Sequence, residues 1–347
     1  MKSTELKLAI AARAVKKALK AIDPDQLNIS DYNKKYLQKH RLDSEYIFSI
    51  YIKILKNIVK LCNKPMREIR LVDYGAGTGL LGIIAKKAGF ASVTYCDIYN
   101  VSRDDARVIA PALGVPLNHY LCGDTSILTI ELKNKIDAIV SMDVIEHIYN
   151  IDDFFKDCSM LNSELSMVHV TGSNTYNKNI VKKLGKFQNQ CEYKGVPESE
   201  GIKQADLSSS YFSMRKKIIL EQHDLEINDS QIDELATLTR GYNKTDLLKA
   251  LYEYKVQGIL PTPIKHSSNT CNPLTGNWAE RLLSEVEMGN IANAYEFNMS
   301  WKPLFYNTFR KRSLKNSVSV IANKIIKSMG QYGLKIAPLV MISFKKN

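Results

Sequence analysis

The amino-acid sequence predicts an α/β fold: a seven-stranded, mostly parallel sheet with helices on both faces and a large helical insertion after the fifth strand. Short apolar runs alternate with helical patterns between residues 68 and 171, as they do where helices join parallel strands. The 347 residues, of which 45% are hydrophobic, exceed one ordinary domain and can bury a sizeable core. We therefore expect a main domain with an elaboration.

Two amphipathic helices are predicted within residues 1–66, before the first strand. Residues 43–61 form the second helical pattern, and a linker that contains Pro24 precedes it. Residues 4–22 form the first, whose opposite face is basic and whose apolar side chains recur at helical spacing: Leu8, Ala11, Ala12, Val15, Ala18, Leu19 and Ile22.

The most informative segment is residues 71–79, Leu-Val-Asp-Tyr-Gly-Ala-Gly-Thr-Gly. It joins an apolar run that predicts a buried strand, residues 69–74, to a helical pattern at residues 80–87. Glycines leave room where a backbone must bend sharply and approach a ligand closely. The turn contains three of them in alternation: Gly75, Gly77 and Gly79. Because a packing turn needs fewer glycines, the segment predicts a loop that holds a nucleotide-like cofactor.

Acidic residues stand at the ends of the following strands. The second predicted strand, residues 91–97, ends in Asp97, which lies 24 residues after Asp73. At that distance a carboxylate can accept hydrogen bonds from both hydroxyls of a ribose. The third strand, residues 117–122, is followed by Gly123-Asp124-Thr125.

The fourth predicted strand, residues 137–142, is followed by Asp143-Val-Ile-Glu-His147. The remaining elements of this alternating unit are helices at residues 102–113 and 151–161 and a fifth strand at residues 166–171. Polar groups thus follow four consecutive strands of one predicted sheet.

With Asp73 before its first glycine, the loop resembles motif I of the class I S-adenosylmethionine (SAM) methyltransferases. The D-V-x-E-H sequence after the fourth strand resembles the sequence at this position in the quinone-pathway and sugar-modifying branches of that family. The resemblance implies a Rossmann-like core at residues 67–172 that binds SAM and releases S-adenosylhomocysteine, with the N-terminal helices over the cofactor mouth. It implies these cofactor-binding residues: Asp73, Tyr74, Gly75, Ala76, Gly77, Gly79, Asp97, Ile98, Asp124, Thr125, Met142 and Asp143.

Each acid also has a simpler interpretation. Asp97 or Asp124 alone is more often a helix N-cap or a solvated turn residue than a ligand. The joint spacing of the strand ends favours the cofactor site. A dinucleotide-binding dehydrogenase is less well supported, because Leu80 stands where its third glycine would be.

Methyl transfer needs few catalytic side chains, since alignment of the reactants dominates. If the acceptor is a hydroxyl, a general base helps, and the candidates are Asp143, Glu146, His147 and His266. Of these, Glu146, His147 and His266 are our predicted catalytic residues. Glu146 and His147 could instead cap a turn or position the cofactor. The cysteines lack zinc-site spacing, and we expect no metal site.

A mainly helical substrate or lid insertion is predicted at residues 173–277. It begins with a polar and aromatic stretch, residues 173–211, and ends in a loop rich in hydrogen-bonding groups, residues 261–277. Between them lie helical patterns at residues 213–221, 229–239 and 244–257. The core is then completed by a helix at residues 278–294, a strand at 295–301, a helix at 314–329 and an antiparallel last strand at 334–344.

The net charge of +12 is concentrated near the C-terminus, where residues 297–347 hold ten Lys or Arg and no Asp or Glu. An anionic membrane surface or an anionic, lipid-linked substrate would suit such a segment. The ordinary interpretation is a helix that packs its apolar face on the core and keeps its basic face in water. That apolar face would comprise Leu314, Val318, Ile321, Ala322, Ile325 and Met329.

The resemblance implies an enzyme that methylates oxygen in a small molecule or glycan. A non-catalytic SAM-binding regulator, or a methyltransferase that acts on RNA or protein, remains the alternative, although no RNA-binding module is evident. No apolar stretch reaches the about 18 residues of a membrane span, and the N-terminal residues are charged. We expect a cytoplasmic protein, with peripheral contact at the inner membrane face left open, as is its oligomeric state.

Overall fold

A computed structural model describes residues 2–196, 209–222, 225, 227–310 and 314–347. The chain divides into two compact units. The sheet unit comprises Met1–Ile145, Ile151–Asn174 and Glu285–Asn347, and the helical unit comprises Glu146–Asn150 and Thr175–Ser284.

The sheet unit contains one seven-stranded sheet in the order β3-β2-β1-β4-β5-β7-β6. Its strands are β1 (Arg70–Tyr74), β2 (Ser92–Asp97), β3 (His119–Cys122), β4 (Ala138–Met142), β5 (Ser166–Thr171), β6 (Phe297–Pro303) and β7 (Val340–Lys346). Strands β1 to β5 pair in parallel, whereas β7 runs antiparallel to both β5 and β6. The predicted mostly parallel sheet with an antiparallel last strand is confirmed.

The helices, in chain order, are α1 (Lys2–Ala21), α2 (Asp31–Cys62), α3 (Leu80–Ala88), α4 (Asn100–Ala112), α5 (Thr125–Leu132), α6 (Ile151–Leu161), α7 (Lys178–Tyr193), α8 (Tyr211–Leu220), α9 (Asp229–Leu238), α10 (Lys244–Gln257), α11 (Glu285–Ala294) and α12 (Leu314–Met329). Helices α7 to α10 lie in the helical unit, and the others lie in the sheet unit.

Helices cover both faces of the sheet because successive strand residues point to opposite sides. One face contributes Leu71, Val93, Tyr95, Val140, Val168 and Val170 to an apolar core shared with α1 to α4. On the other face, Phe154 of α6 lies 5.7 Å from Tyr74 and 5.8 Å from His169, measured between ring centroids. Phe155 of the same helix contacts Phe344 of β7 at 4.9 Å.

The N-terminal helices form as the sequence pattern requires. Leu8, Val15 and Leu19 of α1 are buried, and α1 packs against α2 and α3. Helix α2 begins twelve residues earlier than predicted, at Asp31, because Ser30 is its N-cap and accepts a hydrogen bond from the backbone N–H of Asn33. The cap extends the helix back through residues whose apolar pattern is weak.

Helices α8, α9 and α10 of the helical unit form close to their predicted bounds, whereas the segments before and after them differ from the prediction. Helix α7 lies within the polar and aromatic stretch of residues 173–211, for which no individual helix was predicted, and residues 197–208 of that stretch lie outside the described residues. The helix expected at residues 278–294 begins only at Glu285. The first residues of the expected helix instead donate backbone N–H groups to other segments: Trp278 donates to the carbonyl of His147, and Ala279 donates to the carbonyl of Thr270.

Two expectations for the C-terminal residues are wrong. The last strand begins at Val340, because Gly330–Lys335 form a 3₁₀ helix. Helix α12 has the predicted bounds, but its apolar face does not pack on the core: Leu314, Val318 and Ile321 are exposed. Among the described helices, none is both long and apolar enough to cross a membrane.

Candidate cofactor and active site

The glycine-rich loop follows β1 and leads into α3. Its three glycines adopt the left-handed conformation, with φ of 63° at Gly75, 52° at Gly77 and 75° at Gly79. A Cβ atom at Gly75 would lie 2.5 Å from a methyl group of Val144, whereas one at Gly77 would meet nothing within 4 Å. The loop is therefore packed against the protein at its first glycine and open at its second.

Asp97, at the end of β2, is tied to this loop. Its carboxylate accepts hydrogen bonds from the backbone N–H of Gly77 at 2.9 Å and of Tyr99 at 3.0 Å. The Tyr95 hydroxyl donates to the Gly77 carbonyl at 2.8 Å. Ile98, the next predicted cofactor residue, is exposed. The structure thus places the acid predicted for a ribose beside the open glycine of the loop.

Asp73 lies inside the protein and holds the start of α3. Its carboxylate accepts a hydrogen bond from the Gly82 backbone N–H at 2.7 Å. Burial raises the pKa of Asp73 to about 8; the Gly82 N–H opposes that rise, and the charge of Asp97 adds to it. The ring of Tyr74 packs beside Phe154. Asp73 is therefore positioned to fix the loop, and direct contacts of Asp73 and Tyr74 with a cofactor stay predictions.

At the end of β3, the acid has the simpler of the two roles considered for it, that of a helix N-cap. Asp124 is the N-cap of α5 and accepts hydrogen bonds from the backbone N–H and hydroxyl of Ser126, at 3.0 and 2.6 Å. Its neighbour Thr125 is buried and donates its hydroxyl to Asp157 at 2.7 Å. Asp124 remains exposed, so an adenine contact by its carboxylate is still a prediction.

The fourth strand ends in Met142 and Asp143. Asp143 is exposed, adopts a left-handed backbone with φ of 54°, and donates its N–H to the Val170 carbonyl at 2.8 Å. Few residues other than glycine adopt this conformation, which turns the chain sharply after the strand. The predicted cofactor residues thus occupy the ends of β1, β2, β3 and β4 in one unit.

Helix α2 adds side chains that sequence reasoning missed. Burial raises the pKa of Tyr51 above its usual value, and the charges of Asp73 and Asp143 act in the same direction. Burial also raises the pKa of Tyr32, near the other end of the helix, and Tyr36 and the charge of Asp97 add to the rise. His40, between them in sequence, is buried, and desolvation lowers its pKa to about 4. The spacing of these residues along one helix was visible in the sequence, but the acids that lie near Tyr32 and Tyr51 were not.

The predicted catalytic residues Glu146 and His147 belong to the helical unit and follow β4 in a 3₁₀ turn, Ile145–His147. Nδ1 of His147 lies 2.8 Å from the Trp278 carbonyl oxygen, and Nε2 lies 4.0 Å from a carboxylate oxygen of Glu280. Glu146 is buried, and its backbone carbonyl accepts a hydrogen bond from the N–H of Arg281. The turn is therefore held by the segment of residues 278–281.

Glu146, His147 and Glu280 form a cluster whose ligand atoms lie within 4.8 Å of one another. Two carboxylates and an imidazole are a donor set that could hold a metal ion. Our expectation of no metal site rested on cysteine spacing, which does not address such donors. Glu280 was missed because no local pattern connects it to the distant D-V-x-E-H segment.

His266 is not part of that cluster. Its Nδ1 accepts a hydrogen bond from the backbone N–H of Ser268 at 3.1 Å and lies 2.9 Å from the Ser268 hydroxyl. Ser268 is buried and in turn accepts a hydrogen bond from the Leu282 N–H. These contacts give His266 a place in the packing of its loop, and its predicted catalytic role stays a prediction.

Comparison with known proteins addresses the same segment. A family model described as a methyltransferase domain matches residues 72–161. The ubiquinone biosynthesis O-methyltransferase of Pelagibacter ubique is 29% identical over 132 residues, which are 38% of this chain and 53% of that protein. The mitochondrial ubiquinone biosynthesis O-methyltransferase of Arabidopsis thaliana is 35% identical over 99 residues, 28% of this chain and 30% of that protein.

Among solved structures, an S-adenosylmethionine-dependent methyltransferase from Mesorhizobium loti is 10% identical, with 84% of this chain and 97% of that chain covered at a TM-score of 0.37. The chain spans about half or less of the length of the two relatives above. The family match covers the glycine-rich loop, Asp97, Asp124 and the D-V-x-E-H segment. Residues 72–161 are therefore similar to a methyltransferase domain.

Proposed function

We propose that this protein transfers a methyl group from SAM to an oxygen atom of a small molecule. The methyltransferase domain supports the reaction type, and the names of the O-methyltransferase relatives support the acceptor atom. One observation carries the proposal: the Asp97 carboxylate lies beside the open face of the glycine-rich loop, 2.9 Å from the Gly77 backbone nitrogen.

The loop fits such a cofactor. Ligands of open parallel sheets bind outside the carboxyl ends of the strands, and the loop and Asp97 lie at the ends of the neighbouring strands β1 and β2. At Gly77 a Cβ atom would extend into space free of protein atoms within 4 Å. We infer that Asp97 would receive the ribose hydroxyls and that the loop backbone would lie against the cofactor.

SAM, when bound, supplies a methyl group that its sulfonium already activates for in-line attack. The chain then has to align the acceptor and remove its proton. His147 suits the second task, because the Trp278 carbonyl can only accept a hydrogen bond. Nδ1 therefore carries the proton of the neutral imidazole, and Nε2 keeps the lone pair. Glu146 and His266 are the alternative bases in this proposal.

The first test is calorimetric titration with SAM, S-adenosylhomocysteine and NAD. We expect Asp97→Ala to weaken SAM binding by about tenfold or more, since hydrogen bonds to a charged acceptor are lost. Asp97→Asn retains an acceptor for the Gly77 N–H and separates loop positioning from ribose binding. Asp104→Asn, at an exposed acid of α4, is the matched control. NAD binding in place of SAM would contradict the proposal.

The second test is methyl transfer from labelled SAM to acceptor pools. Label in small phenols or hydroxylated metabolites would support the proposal. Label in RNA, protein or glycans would redirect it to those acceptors, and SAM binding without transfer to any pool would favour a non-catalytic regulator. If label is transferred to a small molecule, His147→Gln should lower the rate of methyl transfer without lowering SAM affinity, because a base acts on the acceptor.

We also propose that the protein works in contact with an anionic membrane surface. The concentration of ten cationic residues and no acidic ones in residues 297–347 supports this location.

A further inference from the structure

Helix α12 is packed with its polar side inward. Asn323 accepts a hydrogen bond from the Tyr306 backbone N–H at 2.7 Å and donates one to the Tyr306 carbonyl at 3.0 Å. Ser319 is buried and lies within hydrogen-bond distance of the Arg310 guanidinium. Ile326 is the buried apolar residue on this side, and Gly333 of the following 3₁₀ helix approaches it closely. These contacts fix the rotation of the helix.

The opposite side of α12 presents an apolar stripe to solvent. Its residues follow one another at spacings of four, three and four, which is one face of an α-helix. Their exposed fractions are 89% for Leu314, 66% for Val318, 59% for Ile321 and 44% for Ile325. An ordinary surface helix turns such a face toward the core, so this orientation needs a partner.

Positive charge borders the stripe. Lys315 and Lys324 of α12 flank the stripe on its two sides and are exposed, and residues 297–347 contain no acidic side chain that could neutralise them. Beyond the helix, Tyr332 is exposed, and the ammonium group of Lys335 lies 5.6 Å from the centre of its ring. Tyrosine and lysine are side chains that settle at the boundary between lipid and water.

We propose that α12 is the surface through which this protein binds an anionic lipid membrane, with the stripe Leu314, Val318, Ile321 and Ile325 entering the acyl boundary and the lysines contacting lipid phosphates. A helix of this kind lies in the plane of the interface. A second copy of the chain suits the stripe less well, because pairing two such faces would bring like charges together. The inference deepens the proposed membrane location and does not depend on methyl transfer.

The test is co-sedimentation of the purified full chain with vesicles of phosphatidylcholine alone or with added phosphatidylglycerol. We expect binding to the anionic vesicles, weakened by salt. Val318→Asn/Ile321→Gln should weaken it by about tenfold or more, because apolar area no longer enters the lipid. Lys315→Gln/Lys324→Gln should weaken it by about thirtyfold, as expected for two lysines at an anionic surface.

Matched controls alter equally exposed residues elsewhere. Ile130→Gln/Val286→Asn removes two exposed apolar side chains, and Lys133→Gln/Lys135→Gln removes two exposed charges. Both should bind vesicles like the parent protein, and all variants should keep its circular dichroism and SAM affinity. Equal losses of vesicle binding in the controls would overturn the proposal, since net charge or nonspecific apolar adsorption would then explain binding.

Absence of vesicle binding by a chain that binds SAM would overturn the membrane surface and leave the methyltransferase proposal standing. If light scattering shows a dimer that the α12 variants dissociate, without vesicle binding, the stripe joins two copies and the lipid proposal is wrong. Vesicle binding without SAM binding would support the surface and contradict the proposed function.

Discussion

The two units of this molecule are organised by different forces. In the sheet unit, a continuous apolar core lies between the strands and α1 to α4, and polar side chains gather where strands end. In the helical unit, the apolar clusters are small, and a fully buried Arg215 connects α7, α8 and α9. It pairs with buried Glu192 and donates to the Ala236 carbonyl at 2.9 Å. Strand topology positions the polar side chains of the sheet unit, whereas individual polar pairs stabilise the helical unit.

The positions of functional side chains are easier to predict in the sheet unit than in the helical unit. A parallel sheet brings every strand end to one edge, so residues after successive strands become neighbours whatever their side chains are. A buried ion pair, in contrast, depends on the identities of the two residues that form it.

Breaking the buried pair should have the largest effect. Arg215→Met leaves the Glu192 carboxylate buried without its main partner, and we expect a loss of about 3–5 kcal/mol in the free energy of unfolding. The double variant Arg215→Met/Glu192→Gln should recover much of that loss. Denaturant titration measures both, and hydrogen exchange should show the damage in α7 to α9 while SAM still binds. A double variant as unstable as the single one would contradict the ion-pair explanation.

Asp73 should make the sheet unit respond to pH. The folded carboxyl keeps its proton up to a pKa of about 8, whereas the unfolded chain releases it near pH 4, so the folded state holds more protons between these values. Stability therefore falls as pH rises, by about 1.4 kcal/mol per pH unit in that window. Asp73→Asn, which can still accept from the Gly82 N–H, should lack this slope.

The measurement is the difference in unfolding free energy between the parent protein and Asp73→Asn from pH 5 to 7. It should change by about 2–3 kcal/mol in favour of the variant. Because a difference is taken, the buried His40 and His169, whose lowered pKa values act in the opposite sense, cancel. Parallel curves would show that Asp73 is ionised in the folded protein.

The smallest effect separates two glycines of one loop. Gly75→Ala and Gly77→Ala both place a side chain at positive φ, which costs about 1 kcal/mol. Only Gly75→Ala also forces a methyl group against Val144, so it should be less stable by a further about 1–2 kcal/mol. Gly77→Ala should instead lose SAM affinity, because its methyl group occupies the open face. Thermal unfolding and calorimetry distinguish them, and equal stability of the two variants would show that Val144 yields.

The sequence alone determined the sheet and its loop. Hydrophobic periodicity located the strands of the alternating unit to within a few residues, and the glycines and Asp97 lie together as their spacing predicted. These features are local or follow from strand topology, so a pattern of neighbours suffices. Helix α10 also has its predicted bounds, because its capping residue Asn243 and the terminal Gly258 are local signals.

Only the tertiary structure decided the rest. It joined Glu280 to Glu146 and His147, buried Arg215 against Glu192, and turned the apolar stripe of α12 outward. Hydrophobic periodicity indicates that a helix has an apolar face. Contacts made by other residues, here Asn323 with Tyr306, determine which face packs against the protein. Such contacts join residues far apart in the chain, and no local pattern encodes their partners.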